Sequence, residues 1–518
     1  MNTTRGSWNS NIGFLLAAIG SAIGLGNVWR FSYMAHQYGG GAFLVPYVVA
    51  LVIAGIPLMI LEYGVGHRFR GSSPLCFAVM GRQYEWLGWW MPVVAMFGIM
   101  LYYSVIIGWC VNYLFFAIDL SWGSDPQAFF FDSFLQLSKQ STSLGSVRLP
   151  IMVSTAFVWL ACWVICYRDI RHGIERASKL FMPVLFALTL ILVFWTMSLD
   201  GAWGAITGHY LSADWSKINI FAADSQARAA AGKVWSAAFG QIFFTLSVGF
   251  GIMITYASYL PAKSNLTRNA LITSITNCLY SFIAGFAVFG IVGFMATSRG
   301  LPFDQVIKGG PQLAFVVYPK AISMLPEFNS LFGVLFFLML VIAGLTSGVS
   351  LIEAFACSLI DKFAWPRKYV VTGLCLAGFA GSILYTTNGG LYLLDIADHF
   401  ITNYGLVAGG LLECLLVGWI VKASVIRAHV AESGGGLSPL WSVFVSCLTP
   451  TVLAYLLYLS LVEDVTKGYE GYAGSQLLVV GVGALIVCGI VAWVLTRASW
   501  KNALLTKKHH PGEDDLLT

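Results

Sequence analysis

Apolar residues fill about twelve long runs of this 518-residue chain, and short polar segments separate these runs. Most runs have the roughly 20 residues that an α-helix needs to cross the hydrocarbon core of a bilayer. The pattern therefore predicts an all-α polytopic membrane protein with twelve transmembrane helices, here called spans 1–12. Their predicted bounds are Ile12–Gln37, Gly41–Gly66, Trp89–Ile118, Leu149–Cys166, Ile174–Ser198, Ala231–Leu260, Ala270–Thr297, Ser330–Ile360, Val370–Tyr385, Leu391–Val421, Leu440–Leu461 and Gln476–Leu495.

Span 1 contains a stretch that disfavours a continuous helix. Three glycines fall within seven residues, from Gly20 to Gly26, and Asn27 and Arg30 follow. Each glycine costs a helix roughly 1 kcal/mol relative to alanine. Inside a membrane, an interrupted helix persists only where its freed backbone groups face protein, water or a ligand. The stretch therefore predicts a broken helix built around a small polar ligand.

Span 6 contains a second polar, glycine-rich interruption, between Gln241 and Gly251. Spans 1 and 6 occupy matching places in two groups of five, which is typical of the inverted repeats of secondary transporters. The predicted architecture is a 5+5 inverted repeat with broken helices 1 and 6, plus two extra C-terminal helices. The predicted divisions are a cytoplasmic segment 1–10, a first repeat 11–198, an extracellular loop 199–230, a second inverted repeat 231–421, two extra helices 422–499 and a cytoplasmic tail 500–518.

Composition and charge narrow the class of protein. Hydrophobic residues make up 58% of the chain and charged residues 10%, which excludes an ordinary soluble domain. The net charge of +5 is spread through short loops, so no nucleic-acid partner is expected. Lys and Arg are more frequent in the loops that share a side with both termini, which places the termini in the cytoplasm. The spans carry no nucleophile–base pair and no metal-binding set of an enzyme.

Four motifs give the chain a close resemblance to the neurotransmitter:sodium symporter family, above all to its bacterial amino-acid transporters. The motifs are Gly24–Phe31, Gly39–Phe43, Gln241–Gly251 and Ala343–Ser347. Animal members carry a disulfide in the loop after span 3, whereas loop 119–149 has no cysteine here. The resemblance therefore implies a multi-pass protein of a prokaryotic plasma (inner) membrane.

The resemblance implies two sodium sites. The first would use the Ala22 carbonyl, Asn27, Thr245, Asn277 and the carboxylate of the substrate. The second would use two hydroxyls and three carbonyls, from Thr346, Ser347, Gly20, Ile23 and Ala343. Serine and threonine hydroxyls in membrane helices also commonly bond back to their own helix, which is the simpler interpretation of Thr346 and Ser347 taken alone.

The resemblance also implies a substrate site between the two breaks. Amides at the half-helix N-termini would bind a carboxylate, and the carbonyls of Ala22, Phe244 and Thr245 with the Ser247 hydroxyl would hold an ammonium group. Monoamine-transporting members have an aspartate where this chain has Gly24, so this substrate is expected to bring its own carboxylate. Tyr103 would donate to that carboxylate. The substrate-binding set implied is Ala22, Gly24, Gly26, Ile99, Tyr103, Phe244, Thr245, Ser247, Phe250, Ser347 and Leu351.

Two gates are implied on either side of this site. Arg30 and Asp398 match an outer ion pair that closes over the substrate. Structural pairing of two buried charges is an alternative, because an unpaired charge at depth costs roughly 3 kcal/mol. The matching inner gate residues are Arg5, Trp8, Tyr259 and Asp361, with a salt bridge between Arg5 and Asp361.

Chloride dependence varies within the family. Chloride-dependent members bind the anion with residues that match Tyr47, Gln241, Thr245, Asn277 and Ser281. Many bacterial members have a glutamate at the last position, whose charge replaces the anion, but this chain has Ser281. Chloride binding is therefore expected. The alternative is that Ser281 is ordinary packing polarity and that another carboxylate balances the charge.

Together these features predict a symporter that couples two sodium ions, and chloride, to uptake of a neutral, aliphatic amino acid by alternating access. Two alternatives stay open: a β- or γ-amino acid such as taurine or 4-aminobutyrate as substrate, and an amino-acid-binding membrane sensor without net transport. The predicted partners are a small amino-acid substrate and the lipid bilayer. The sequence does not indicate an oligomeric state.

Overall fold

The computed structural model describes residues 6–501, and helices form all its long elements. Within these residues, ten continuous helices are long and apolar enough to cross a membrane. They correspond to spans 2–5 and 7–12, and they usually run a few residues beyond the predicted limits because the flanking turns stay helical. Their bounds are Gly41–Phe69, Arg82–Asp119, Leu149–Tyr167, Ile174–Met197, Leu266–Arg299, Asn329–Phe363, Arg367–Thr386, Gly390–Ile420, Pro439–Lys467 and Gly474–Arg497.

Span 1 is broken, as the sequence predicts. Helix 1a (Asn11–Ala22) ends where Ile23 turns extended, and helix 1b begins at Gly26 and runs to Gln37. The two halves are bent by 54°. The Ser10 side chain caps helix 1a by accepting a hydrogen bond from the Gly13 amide, which satisfies one of its otherwise unpaired donors.

Span 6 is broken more severely. Helix 6a (Ser225–Thr245) and helix 6b (Ile252–Ala257) are separated by a non-helical segment in which Ser247, Gly249 and Gly251 all have positive φ. A Cβ on Gly249 would also lie 2.8 Å from the Phe243 ring, so that position requires glycine. By length and apolar content, up to eleven of the twelve predicted spans qualify, counting span 1 as one. Span 6 does not qualify, because the break leaves a short helix 6b and a helix 6a whose first turns are polar.

The packing places spans 1, 3, 6 and 8 around the centre of the molecule. Helix 1a packs against spans 5, 7 and 8, helix 6b packs against span 2, and spans 3 and 8 pack along each other. Spans 11 and 12 are peripheral, because only 22% and 17% of the residues in their apolar windows are buried. The centre of the bundle is therefore lined by both breaks.

The connections define two faces of the bundle. The amino-terminal face carries residues 6–10 and helices Ser73–Met80 and Ala423–Glu432. The opposite face, here called the loop face, carries loop 120–148 and the short helices Ala202–Ala205, Phe303–Val306 and Tyr318–Ser323. The two breaks lie between these faces.

Candidate functional site

A cavity of about 720 Å³ lies between the breaks and reaches the loop face. Spans 1, 3, 6 and 8 form its base, and residues of loops 120–148 and 300–328 form its upper wall. All eleven residues expected to bind substrate line it, namely Ala22, Gly24, Gly26, Ile99, Tyr103, Phe244, Thr245, Ser247, Phe250, Ser347 and Leu351. The structure thus brings together a set drawn from four separate spans.

Carbonyl oxygens freed by the break in span 1 contact hydroxyls from spans 6 and 8. The Ser247 hydroxyl donates to the Ser21 carbonyl at 3.1 Å. The Ser347 hydroxyl lies within donating distance of the carbonyls of Ser21, at 3.2 Å, and of Ile23, at 3.1 Å. Carbonyl and hydroxyl oxygens thus converge at the base of the cavity, where they offer ligands to a cation that replaces the hydroxyl hydrogens.

The second candidate sodium site lies beside these carbonyls. The Thr346 hydroxyl bonds to the Ala343 carbonyl at 3.0 Å, and the Ser347 hydroxyl approaches the same oxygen at 3.3 Å. A Cβ placed on Gly20 would lie 3.4 Å from the Thr346 Cβ, so Gly20 also borders the group. The Thr346 hydroxyl therefore bonds back to its own helix, in agreement with the simpler interpretation. The Ser347 hydroxyl does so as well, but it also contacts carbonyls of the broken span 1.

The first candidate sodium site is a buried polar cluster. The Asn27 amide nitrogen lies 3.0 Å from the Thr245 hydroxyl, 2.9 Å from Asn277 Oδ1 and 2.8 Å from the Ser281 hydroxyl. An amide has two hydrogens, so three oxygens are more than it can satisfy at once. The side-chain oxygen of Asn27, Oδ1, accepts a hydrogen bond from the Gly24 amide at 2.8 Å. Such an oxygen-rich group is what hard cations require.

Candidate anion ligands lie next to this cluster. Among the described residues, the Tyr47 hydroxyl and both polar atoms of Gln241 are buried without a hydrogen-bond partner. Gln241 is one helical turn before Thr245, so both face the same side of helix 6a. Ser281 is fully buried and already contacts Asn27. Unpaired buried donors are costly in a membrane interior, and an anion would satisfy them.

At the loop face, the two expected gate residues have other partners. Arg30 lies over the Phe244 ring, 4.8 Å from its centroid. Asp398 accepts a hydrogen bond of 2.5 Å from the buried Tyr102 hydroxyl. Within residues 6–501, no ion pair joins Arg30 to Asp398, although both line the cavity. The expected closed pair is therefore not formed in this structure.

At the amino-terminal face, two of the four expected gate residues pack tightly together. Trp8 is 3% exposed, and its indole nitrogen donates to the Tyr256 carbonyl at 2.9 Å. The Trp8 amide donates to the Tyr259 carbonyl at 3.2 Å. Asp361 accepts from the Ser72 amide at 2.8 Å. Arg5 lies outside the described residues, so its expected salt bridge with Asp361 stays a prediction.

The family follows from comparison with known proteins. A model of the sodium:neurotransmitter symporter family matches residues 5–125 and 121–501. The chain belongs to this family. It is also 43% identical, over 93% of its length and 95% of the relative's, to an uncharacterized sodium-dependent transporter of Methanocaldococcus jannaschii. This symporter is therefore a multi-pass membrane transporter of a small molecule with sodium as the coupling ion, and it is not an enzyme.

The structure of this symporter also reveals residues that the sequence analysis did not assign to the site. Glu62 of span 2 accepts a 2.5 Å hydrogen bond from the Gly249 amide and so holds the break in span 6. Tyr102 holds Asp398, although only its neighbour Tyr103 was assigned to the site. A buried carboxylate in an apolar span needs a donor, and a broken helix supplies one. That complementarity was the available signal for Glu62.

Proposed function

We propose that this symporter couples two sodium ions, and chloride, to uptake of a neutral, aliphatic amino acid by alternating access. Ile99, Phe250 and Leu351 form an apolar wall of the cavity beside the polar groups of its base. A zwitterion with a medium-sized apolar side chain matches that division. The main chain of the substrate would lie at the polar base, and its side chain would contact the apolar wall.

The environment of Gly24 is the observation that carries this proposal. A Cβ at position 24 would lie 3.1 Å from both the Ser347 and the Tyr103 hydroxyls. Glycine leaves that space to a ligand, and the nearby donors suit a carboxylate. The Leu25 amide, at the start of helix 1b, already points toward the Tyr103 hydroxyl at 3.4 Å. The positive end of helix 1b adds a favourable field for an anionic group.

Coupling would follow from shared groups. The carboxylate of the substrate would complete the first sodium site beside Asn27, Thr245 and Asn277, so each ligand would raise the affinity for the other. With a tenfold gradient and 100 mV, two sodium ions could supply about 7 kcal/mol. Chloride entering with them would cancel the electrical work of one charge. The free energy that remains from the sodium gradient and from the second charge still supports concentrative uptake.

Charge balance and burial favour chloride. Two sodium ions and a zwitterion leave two excess positive charges in a buried site. The unpaired Tyr47 and Gln241 groups, with Thr245, Asn277 and Ser281, offer neutral donors and no carboxylate. An anion held there would offset one charge close to the first sodium site.

Alternating access also needs the membrane arrangement expected from the sequence. We place both termini in the cytoplasm, in a plasma (inner) membrane, with residues 11–198 and 231–421 as inverted repeats. Helix 6a begins at Ser225, so the second repeat would start slightly earlier than expected. The cavity then opens to the outside, which is the state that would admit substrate and sodium.

The test is the thermal stability of the purified protein against a panel of amino acids. Glycine, leucine, tryptophan, taurine and 4-aminobutyrate would each be added in sodium chloride, sodium gluconate and potassium chloride. A ligand that binds the folded state raises its melting temperature by mass action. We expect stabilisation by leucine in sodium chloride and not in potassium chloride. Stabilisation by taurine or 4-aminobutyrate alone, or stabilisation indifferent to sodium, would contradict the proposed substrate site.

Counterflow in proteoliposomes then separates a transporter from a sensor that binds without transport. Preloaded unlabelled amino acid should drive uptake of labelled amino acid in sodium. Binding without counterflow would contradict alternating access.

The chloride proposal has its own test in Ser281→Glu. The new carboxylate would supply the negative charge of the anion, so uptake by the variant should persist in gluconate. Ser281→Ala is the matched control and should keep the chloride requirement while lowering chloride affinity. Uptake by Ser281→Glu that still needs chloride would overturn the assignment.

A further inference from the structure

Three metal-ligating side chains from distant parts of the chain converge at the loop face. His36 lies at the end of helix 1b, His209 in the turn after helix Ala202–Ala205, and Asp304 in helix Phe303–Val306. One ligand atom from each lies within 4.8 Å of the other two. His36 Nε2 and Asp304 Oδ1 are already 3.2 Å apart. None of the three lines the substrate cavity.

Backbone pairing fixes the first two ligands relative to each other. The Gly41 amide donates to the Ser212 carbonyl at 2.9 Å, and the Asp214 amide donates to the Gly39 carbonyl at 3.1 Å. A Cβ on Gly40 would lie 2.7 Å from the His209 carbonyl oxygen, so only glycine permits this approach. The segment just after His36 is therefore held against the segment that carries His209.

Aromatic stacking fixes the third ligand. The His209 ring stacks on Phe303, with centroids 4.4 Å apart and planes 11° apart. Phe303 is buried and also stacks on Phe289 of span 7, at 5.5 Å. Since Phe303 directly precedes Asp304, this stack holds the carboxylate near both imidazoles.

We propose that His36, His209 and Asp304 form a binding site for a divalent transition metal ion of the zinc type. Two imidazoles and one carboxylate, with water as fourth ligand, are a donor set that suits Zn²⁺ and excludes Mg²⁺ and Ca²⁺, which prefer oxygen ligands. Bonds of about 2.0–2.1 Å in a tetrahedron separate ligand atoms by about 3.3 Å. The His36–Asp304 pair already has that spacing. His209 and Asp304 are exposed and can close the remaining gap by small rotations.

Metal binding would tie together elements that border the substrate cavity. Helix 1b contributes Trp29 and Arg30 to the cavity wall, and the loop after Asp304 contributes Gly309 and Gln312. A metal bound to His36 and Asp304 would link these two walls. Any movement of helix 1b relative to that loop would then be slowed, so occupancy of the site should slow transport without competing with substrate.

The test is metal binding by the purified full-length chain. Zn²⁺ would be titrated against a chelating dye, and Co²⁺ would be followed by its ligand-field absorption, which reports tetrahedral nitrogen and oxygen ligands. His509 and His510 would first be changed to glutamine, because adjacent histidines near the terminus could bind metal themselves. We expect one Zn²⁺ per chain, and a Co²⁺ spectrum of four-coordinate type.

Single substitutions locate the site. His36→Gln, His209→Gln and Asp304→Asn should each weaken Zn²⁺ binding by at least about tenfold. His172→Gln, at an exposed histidine beside Asp169, is the matched control and should leave it unchanged. Equal melting temperatures without metal would show that the variants fold, and Zn²⁺ should raise the melting temperature only where all three ligands remain. Stoichiometric binding that survives the triple substitution, or that is lost on substituting His67 and His429 instead, would overturn the proposal.

Discussion

The two ends of the cavity differ in how their residues are engaged. At the amino-terminal face, Trp8 is buried and bonded to the backbone of helix 6b and the residues that follow it. Its ring makes edge contacts with Phe14, Tyr256 and Tyr259. At the loop face, Arg30 and Asp398 both line an open cavity, and each contacts an aromatic residue instead of the other. One end is closed by packing, and the other is open although its charged residues are present.

Under the proposed alternating access, closure at each end would require an exchange of partners. The closed face is further held by Glu175, which accepts from the Asn9 amide at 2.7 Å and the Ser10 hydroxyl at 3.0 Å. On the open face, Asp398 is hydrogen-bonded to Tyr102, and Arg30 lies over the Phe244 ring. Each end is therefore held by a few specific contacts, and removing one of them should shift that end between its open and closed forms.

The largest expected effect is from Trp8→Ala, which should open the closed face. Truncating a buried tryptophan costs about 3–5 kcal/mol, and here that loss falls on the closed state. Cys357, which is 2% exposed and accepts from the Tyr259 hydroxyl at 3.1 Å, should become reactive. The measurement is the rate of Cys357 modification by a polar maleimide in a Cys447→Ser background. We expect an increase of more than about tenfold.

Trp203→Ala is the matched control, because Trp203 is 54% exposed at the loop face. It should not alter Cys357 reactivity. Modification of Cys110 and Cys162, both fully buried, would report global unfolding. An unchanged Cys357 rate in a folded Trp8→Ala variant would mean that Trp8 does not hold this face closed.

A smaller effect is expected from Tyr102→Phe, which should close the loop face, whereas Trp8→Ala should open the amino-terminal face. Removing the hydroxyl frees Asp398, and a hydrogen bond to a charged group contributes about 1.5–3 kcal/mol. Asp398 would then be available to pair with Arg30 and close the loop face. A cysteine placed at Ile106, in the cavity wall, should react with a polar thiol reagent about tenfold more slowly in the Tyr102→Phe background.

Tyr113→Phe is the control for this substitution. Tyr113 is equally buried, but its hydroxyl has no hydrogen-bond partner among the described residues. Its removal should leave the Ile106→Cys rate unchanged. Faster labelling in Tyr102→Phe would indicate instead that Tyr102 favours closure.

Much of this arrangement could be predicted from the sequence. Apolar runs of membrane length locate the spans, and polar residues among glycines locate the two breaks. The position of the break in span 1 could not be predicted from its glycines alone. Gly20 stays inside helix 1a, where a Cβ would lie 2.8 Å from the Met182 sulfur, so it serves packing. The chain leaves the helix at Ile23, where nearby hydroxyls satisfy the freed carbonyls.

Other features depend on contacts between distant segments, which periodicity does not encode. Tyr102 and Tyr103 are neighbours in sequence, yet one holds Asp398 and the other faces Leu25 because they lie about 100° apart on the helix. The approach of His36 to Asp304 needs the folding of two loops. Such pairs appear only once the backbone paths are known.

The smallest expected effect concerns the pH response of the amino-terminal face. His429, in helix Ala423–Glu432, is hydrogen-bonded to His67 at 2.8 Å. Burial, followed by the nearby His67, Arg68 and Arg70, lowers the pKa of His429 to about 4. The unfolded chain therefore binds a proton at higher pH than the folded chain, so stability should be complete above the ordinary pKa of about 6.5 and fall as the pH drops toward 4.

The check is the melting temperature of the purified protein between pH 7.5 and pH 4.5. His429→Gln should flatten the lower part of this profile, because the variant no longer has the group whose protonation the fold opposes. His172→Gln, which removes an exposed pair with Asp169, should not flatten the profile, because exposed pairs contribute little. If the wild type and His429→Gln lose stability in parallel, the acid sensitivity resides in other groups.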